Sequence, residues 1–315
     1  MRREDIGKFL HTDLAYEQRP FPTGKNGRKD GKEEKGENRE KEESGVTLGE
    51  EKNGDVLISR MSILNASASK RLGRPVGEYV TVSFPPLCDI GEEEEKDLIG
   101  TISRETERLC VKNCPGGISG ILVAGLGNRM ITSDALGPFC ASGIGITRHV
   151  PAETRSTHPE ISAISPGVLS QTGIETLELI KGAVNASRPS AVIVVDALAA
   201  KSVYRLARTV QLTDTGITPG SGIGNHRRTI ARDELGVPVI AVGVPTVVDS
   251  ATLVLDALER AGVEFSSLPD SMNDVLKDGE SFFVTLKDSD TAVERMSGVI
   301  SSALNNFFER IAPVK

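Results

Sequence analysis

The sequence of 315 residues contains no tryptophan, and aromatic residues make up only 4% of it. A folded core must therefore be built from aliphatic side chains. No run of about 18 apolar residues occurs, so no membrane-spanning helix and no membrane partner are expected. The N-terminal residues also lack the apolar core of a signal peptide, which argues against secretion and favours a cytoplasmic protein.

Positive charge and cysteine are also scarce. The formal net charge is −7, which disfavours a nucleic-acid partner. Only four cysteines are present, and Cys110 and Cys114 form the most closely spaced pair. No second pair of cysteines or histidines completes a zinc site with them. We therefore expect reduced thiols and neither a metal nor another cofactor.

Several familiar catalytic motifs are missing. Gly125-Leu126-Gly127-Asn128 follows an apolar run, but Met130 stands where a dinucleotide fingerprint needs its third glycine. There is no phosphate-binding loop and no Gly-x-Ser-x-Gly nucleophile elbow. Cys140 has apolar neighbours, which favours an inert core thiol over a nucleophile. These absences disfavour a dinucleotide enzyme, a nucleotide hydrolase and a serine hydrolase of that type.

Two apolar runs that each lead to an acidic residue stand out. Residues 121–124 lead through the glycine turn to Asp134, and residues 191–195 run directly into Asp196. Both runs read as buried strands of a parallel sheet, which places ligands at the C-terminal ends of its strands. We therefore expect the two carboxylates to share one crevice.

Two carboxylates in one cleft can divide the work of hydrolysis. Mutual repulsion separates their pKa values, so one can act as an acid while the other activates water. Backbone N–H groups of the cleft glycine turn (Gly125, Gly127, Asn128) could help to hold an oxyanion. Alternatively, Asp134 and Asp196 could ligate a divalent metal, with His226 of the glycine-rich loop 213–226 as a third ligand. Each aspartate could also be a simple capping residue.

Periodicity predicts an α/β fold: a mostly parallel sheet with helices on both faces, preceded by a short N-terminal β region. Strands are expected at 56–58, 79–82, 121–124, 161–167, 191–196, 210–212, 237–244 and 282–285. Helices are expected at 92–110, 137–148, 173–186, 250–261 and 290–311. Residues 23–55 are charged and poor in apolar side chains, so we expect a disordered insertion there. A single α/β domain should then cover 56–315.

Five stretches resemble, in order, the motifs of the bacterial spore germination proteases, which are distantly similar to the hydrogenase maturation proteases. They are residues 125–138, 165–176, 192–200, 220–225 and 243–249. In the maturation proteases a metal-binding Glu stands at the position of Asp134, and a second metal-binding acid matches Asp196. The germination proteases are thought to work through the two matching aspartates without a demonstrated metal. The resemblance thus implies a phosphorylase/hydrolase-like peptidase domain with Asp134 and Asp196 as catalytic residues.

The resemblance also implies an endopeptidase that initiates degradation of small acid-soluble spore proteins during germination, in the cytoplasm of the spore core. Such an enzyme cuts after an acidic residue and is made as a homotetrameric, self-processing zymogen. Residues 12–17, Thr-Asp-Leu-Ala-Tyr-Glu, resemble the sequence cut in those substrates. We therefore expect residues 1–13 to be a propeptide-like leader that is released by cleavage between Asp13 and Leu14.

Two alternatives remain open from the sequence. The first is a metal-dependent, maturation-type peptidase that uses Asp134, Asp196 and His226. The second is a non-catalytic module that binds a peptide in the same crevice.

Overall fold

The computed structural model describes residues 11–18, 39–43, 45–155, 159–220, 228–264, 268–269, 271–279 and 282–311. The strands in these residues are β1 (Arg39–Glu43), β2 (Val46–Asn53), β3 (Val56–Ile63), β4 (Gly77–Ser83), β5 (Gly120–Gly125), β6 (Glu160–Ile164), β7 (Ala191–Ala199), β8 (Thr209–Thr213), β9 (Val239–Asp249) and β10 (Phe283–Val284). The helices are α1 (Ala66–Leu72), α2 (Glu92–Asn113), α3 (Leu136–Ser142), α4 (Ala152–Arg155), α5 (Leu169–Thr172), α6 (Thr176–Ser187), α7 (Arg232–Leu235), α8 (Ser250–Arg260), α9 (Met272–Gly279) and α10 (Ser289–Arg310). Short 3₁₀ turns cover Ala15–Gln18, Leu87–Asp89, Thr132–Asp134 and Val203–Arg205.

One continuous sheet runs through the molecule in the order β1-β2-β3-β4-β8-β9-β7-β5-β6, and β10 pairs with the end of β9. Strands β6, β5, β7 and β9 are parallel to one another, and we call them the parallel half. Strand β8 pairs antiparallel with β9 and opens an antiparallel half that continues through β4, β3 and β2 to β1. The border between the halves is therefore the β8–β9 pair.

The apolar strands of the parallel half are buried because helices cover both of their faces. All six residues of β5 are buried. One face packs against α2, α3 and α10, and the other packs against α6. The predicted α/β class, with parallel strands carrying the two acidic motifs and helices on both faces, is confirmed. Within the described residues, no helix is long and apolar enough to cross a bilayer.

Two predicted boundaries differ from the structure. The helix expected over 137–148 ends at Ser142, where the Gly143 N–H bonds to the last carbonyls of α3. Strand β9 continues past its predicted end, through Pro245, to Asp249. The pairing of β7 with β9 shifts register between Leu198 and Ala199, just beyond the Leu198–Pro245 pair. An irregularity of this kind lets a residue without an N–H lie inside a strand.

The prediction that residues 23–55 form a disordered insertion is wrong for the C-terminal part of that range. Residues 39–43 and 46–53 form strands β1 and β2, and β2 pairs with β3 along its whole length. Val46 and Leu48 of β2 are buried against Met61 and Ile63 of β3. Alternating apolar residues anchor this strand even though its overall composition is charged. The sheet therefore begins well before residue 56.

Candidate functional site

The turn after β5 depends on close contact between backbones. The Leu126 N–H donates to the Val195 carbonyl of β7 (2.8 Å), which fixes the start of the turn against the neighbouring strand. Gly125 lies against the backbone of Gly137 in α3, and a Cβ atom at either glycine would clash with backbone atoms. These glycines allow the chain to fold back directly over the strand end.

Asp134 is held by the same turn. Gly127 has a φ of +113° and lies against the Asp134 backbone, so a side chain there would be both strained and obstructed. The Asn128 N–H donates to Asp134 Oδ2 at 2.7 Å. The Asn128 side chain in turn accepts a hydrogen bond from Gln171 Nε2 at 2.6 Å, which ties the turn to α5. The glycine turn therefore positions the Asp134 carboxylate.

Asp196 lies within β7 and is only 5% exposed. Its Oδ1 accepts a hydrogen bond from the Ala197 N–H at 3.0 Å. Val195 of β7 is in register with Gly125, the last residue of β5. Asp196 therefore lies one residue beyond the point where β5 ends. The 3₁₀ turn that carries Asp134 packs on β7 and β9. Both predicted acids thus lie at the C-terminal edge of adjacent parallel strands.

A row of three residues crosses the border between the two halves of the sheet. Asp196 on β7 is in register with Gly243 on β9, and Gly243 is in register with Gln211 on β8. Strand spacing places the Asp196 and Gln211 backbones roughly 10 Å apart. Any side chain at Gly243 would clash with Leu198. A cavity of about 200 Å³ lies here, lined in part by Gln211, Gly243, Leu198 and Asp13.

The segment around Asp13, here called the docked leader (residues 11–18), lies across the ends of β7 and β8. The Asp13 N–H donates to the Ala199 carbonyl (2.8 Å), and the Ala199 N–H donates to Asp13 Oδ2 (2.9 Å). The Asp13 carbonyl accepts from Gln211 Nε2 (3.0 Å), and the Ala15 N–H donates to Gln211 Oε1 (2.6 Å). Both sides of the Asp13–Leu14 bond are therefore hydrogen-bonded to the sheet.

The two residues after Asp13 are fully buried. Leu14 and Ala15 are both 0% exposed. Leu14 packs in an apolar pocket of the parallel half, formed by Leu198, Ala200, Leu206 and Val248. Ala15 packs against residues of the antiparallel half, namely Val46, Leu48, Met61, Ile63, Ala68 and Tyr79. The docked leader thus spans both halves of the sheet.

Arg74 and Thr252 hold the start of the docked leader. Arg74 Nη2 donates to the Thr12 carbonyl at 2.7 Å, and the His11 N–H donates to Thr252 Oγ1 at 3.0 Å. Burial lowers the pKa of the Arg74 guanidinium, and the nearby negative charge of Asp13 opposes this shift. The loop before β4 therefore contributes a cation to this region.

Glu17 anchors the other end of the docked leader. Its carboxylate accepts hydrogen bonds from the backbone N–H groups of Lys201 (2.7 Å) and Ser202 (3.2 Å). Arg205 Nε lies 3.2 Å from the same carboxylate, and its guanidinium stacks over the Tyr16 ring. Backbone donors and a cation together form a site for one acidic side chain.

Sequence reasoning missed Gln211, Arg74 and Arg205. One signal for Gln211 was available, because it lies between Val210 and Leu212 in a short strand whose apolar side chains face the core. A polar residue that is buried on the opposite face of such a strand needs hydrogen-bond partners. Arg74 lies in a loop and Arg205 ends a short 3₁₀ turn, and nothing in their local sequence separates them from other arginines.

His226, the predicted third group, lies outside the described residues. Among the residues that the structure does describe, no three His, Cys, Asp or Glu side chains form a group that could hold a metal ion. Cys110, Cys114 and Cys140 are buried. Burial raises the pKa of the Cys140 thiol to about 12, as expected of the predicted inert core thiol.

Comparison with known proteins assigns residues 25–266 to the family model described as "Germination protease". A germination protease from Caldanaerobacter subterraneus subsp. tengcongensis is 40% identical over 264 residues, which cover 82% of this chain and 75% of the relative. A germination protease from Clostridium tetani is 36% identical over 321 residues, which cover 94% of each chain. Among solved structures, the [NiFe] hydrogenase maturation protease HycI from Thermococcus kodakarensis KOD1 is similar over 62% of this chain and 99% of its own. That structural match has a TM-score of 0.35 and 15% sequence identity.

Proposed function

Because the chain belongs to the germination protease family, we propose that it is the endopeptidase that initiates degradation of small acid-soluble spore proteins during germination. In this proposal it cuts after an acidic residue and acts in the cytoplasm of the spore core. It is made as a homotetrameric zymogen that removes its own residues 1–13. Asp134 and Asp196 carry the chemistry. Membership of the family makes the chain a peptidase; the substrate, specificity, assembly and self-processing are the proposed part.

The docking of the leader carries this proposal. The peptide bond between Asp13 and Leu14 lies beside Gln211, which is separated from Asp196 only by Gly243. The Asp13 carboxylate accepts the Ala199 N–H, which gives a reason for preferring an acid before the cut. Leu14 fills an apolar pocket, which suits the apolar residue after the cut. A substrate-like segment of the chain itself thus occupies a peptide-binding groove beside a candidate acid.

The two aspartates then divide the proton transfers. The ionised one removes a proton from water, whose oxygen attacks the carbonyl carbon of the acidic residue. The protonated one gives its proton to the leaving amine as the C–N bond breaks. Because the Asn128 N–H already binds Asp134, the main task of the glycine turn is to position that carboxylate. While the docked leader fills the groove, another chain is excluded, which keeps the zymogen silent.

A digest of a purified small acid-soluble spore protein tests this function. The enzyme is trimmed to begin at Leu14 and compared with Asp134→Asn, Asp196→Asn and the control Asp97→Asn, whose carboxylate is exposed on α2. Each reaction is run with and without EDTA and read by fragment mass.

We expect cuts after acidic residues in the wild type and the control, with or without EDTA, and none in the other two variants. Undiminished cutting by both site variants would remove the pair from the chemistry. Loss of cutting in EDTA, restored by a divalent metal, would favour the metal-dependent alternative with His226. A substrate that binds tightly but stays intact in every sample would favour the non-catalytic module.

A further inference from the structure

We infer that Gln211 is a further catalytic residue. Its carboxamide forms hydrogen bonds with the peptide on both sides of the bond that is cut, and it stabilises the negative charge that develops on the carbonyl oxygen. This inference rests on the proposed function for the position of the cut. It assigns to the antiparallel half a direct part in the reaction, beyond the two aspartates.

The chemistry of the partners fixes how the carboxamide is oriented. Nε2 donates to the Asp13 carbonyl at 3.0 Å, and Oε1 accepts from the Ala15 N–H at 2.6 Å. A carbonyl oxygen can only accept and a backbone N–H can only donate, so a flipped amide would lose both hydrogen bonds. Gln211 therefore binds the backbone of an extended peptide, and its two hydrogen bonds do not depend on the identity of the peptide's side chains.

Burial gives these hydrogen bonds their importance. Gln211 is 6% exposed, and a buried carboxamide without hydrogen-bond partners destabilises the folded protein. Its neighbours Val210 and Leu212 point into the core on the opposite face of the sheet. When residues 1–13 are released and the chain end at Leu14 leaves the groove, the carboxamide is left ready for the backbone of the next peptide. The same side chain thus serves the zymogen and the substrate complex.

The position of Nε2 also suits the reaction. As the water oxygen bonds to the carbonyl carbon, the electron pair of the C=O π bond moves to the carbonyl oxygen. Collapse of this intermediate restores the C=O bond and breaks the C–N bond, and the amine nitrogen takes up a proton. A donor about 3 Å from that oxygen is at the distance found in oxyanion holes. Asp196 stands across Gly243 from this donor.

The test uses enzyme trimmed to begin at Leu14 and a synthetic peptide with the sequence of residues 8–19, at concentrations high enough to displace the enzyme's own residues 14–18 from the groove. Gln211→Met keeps the size of the side chain and removes both hydrogen bonds. Gln211→Glu keeps the acceptor and loses the donor when it is ionised. Asp196→Asn and the surface control Asp97→Asn are measured in parallel, and thermal unfolding is recorded for every variant.

We expect Gln211→Met to lower kcat by about 10²–10³-fold, the usual loss for one oxyanion donor, with a smaller change in KM. For Gln211→Glu, the ratio of its kcat to that of the wild type should rise as the pH falls, because a protonated carboxyl regains an O–H donor. A purely structural function of Gln211 would make thermal unfolding depend on pH in the same way, so a pH dependence of kcat without one of unfolding separates the two functions. The Glu variant therefore keeps the inference testable if the Met variant does not fold.

The outcomes separate the two proposals. If the wild type cuts between Asp and Leu, Asp196→Asn does not cut, and both folded Gln211 variants cut like the wild type at every pH, the inference about Gln211 is overturned and the proposed function stands. If the wild type leaves this bond intact, or Asp196→Asn cuts it normally, the proposed function fails and the inference falls with it.

Discussion

The two halves of the sheet differ in what they bring to the site. The parallel half carries Asp134 and Asp196 at its C-terminal edge, where α/β sheets place their chemistry. The antiparallel half carries Gln211 and most of the apolar pocket around Ala15. The parallel half therefore supplies the two proposed proton-transfer groups, the antiparallel half supplies Gln211, and the two meet at Gly243 on the border. This arrangement predicts that single substitutions can damage proton transfer and peptide binding separately.

The largest expected effect on cleavage comes from the parallel half. Asp196→Asn should lower kcat for the leader peptide by about 10²–10⁴-fold, because it removes a group that transfers protons. The dissociation constant of the same peptide, measured by fluorescence anisotropy on leader-trimmed enzyme, should stay near the wild-type value. A matching rise in that constant would show that Asp196 binds the peptide, and its assignment to proton transfer alone would then be wrong.

A substitution at the border should affect both properties. Gly243→Ala places a methyl group against Leu198 and into the cavity, so we expect a loss of about 1–3 kcal/mol in the free energy of unfolding. Peptide binding and kcat should both decline. Gly182→Ala is the matched control, since it lies within α6 with open space around it and should stabilise the protein by about 0.5–1 kcal/mol. Urea unfolding and peptide kinetics measure these changes, and a Gly243→Ala enzyme that binds and cuts normally would contradict the border assignment.

Loss of the Glu17 anchor should weaken binding alone. Arg205→Gln removes a cation that contacts the Glu17 carboxylate, so KM for the leader peptide should rise about tenfold while kcat holds. Replacing the glutamate of the peptide by glutamine should abolish the difference between wild type and variant. Arg104→Gln, an exposed position on α2, serves as control. Equal KM values for Arg205→Gln and the control would show that this contact contributes nothing to binding.

The smallest effect on cleavage is expected where the antiparallel half is attached to α2. Burial raises the pKa of Glu105, but hydrogen bonds from Arg60 and Arg108 outweigh it and hold the pKa below its usual value. The stabilisation is therefore present above the unfolded pKa and is lost as the pH falls through the lower folded value. Glu105→Gln should reduce the free energy of unfolding by about 1–2 kcal/mol at pH 7, and by less below about pH 4. Urea unfolding at both pH values checks this, and a deficit that grows at the lower pH would contradict it.

The two halves of the sheet also differ in how much of their structure could be predicted from the sequence. Buried apolar runs such as 191–195 predict a parallel strand, and the acidic residue that follows predicts which edge of the sheet carries the candidate site. The antiparallel half is harder to predict from the sequence, because the charged residues of β2 obscure the alternation of Val46 and Leu48. Strand β9 continues through Pro245 to Asp249, next to a shift in its register with β7 that no sequence pattern predicted. The pairing of Gln211 with the docked leader joins residues almost two hundred positions apart, and no local pattern encodes it.

The complete burial of Leu14 and Ala15 has a kinetic consequence. The Asp13–Leu14 bond belongs to the same chain as the proposed catalytic groups, so its proposed cleavage is intramolecular. Such cleavage follows first-order kinetics, and its rate constant does not change on dilution. In the proposed self-processing, the new chain end at Leu14 is a buried product that competes with every incoming substrate. The proposed activation therefore has two stages, a cut followed by departure of the chain end.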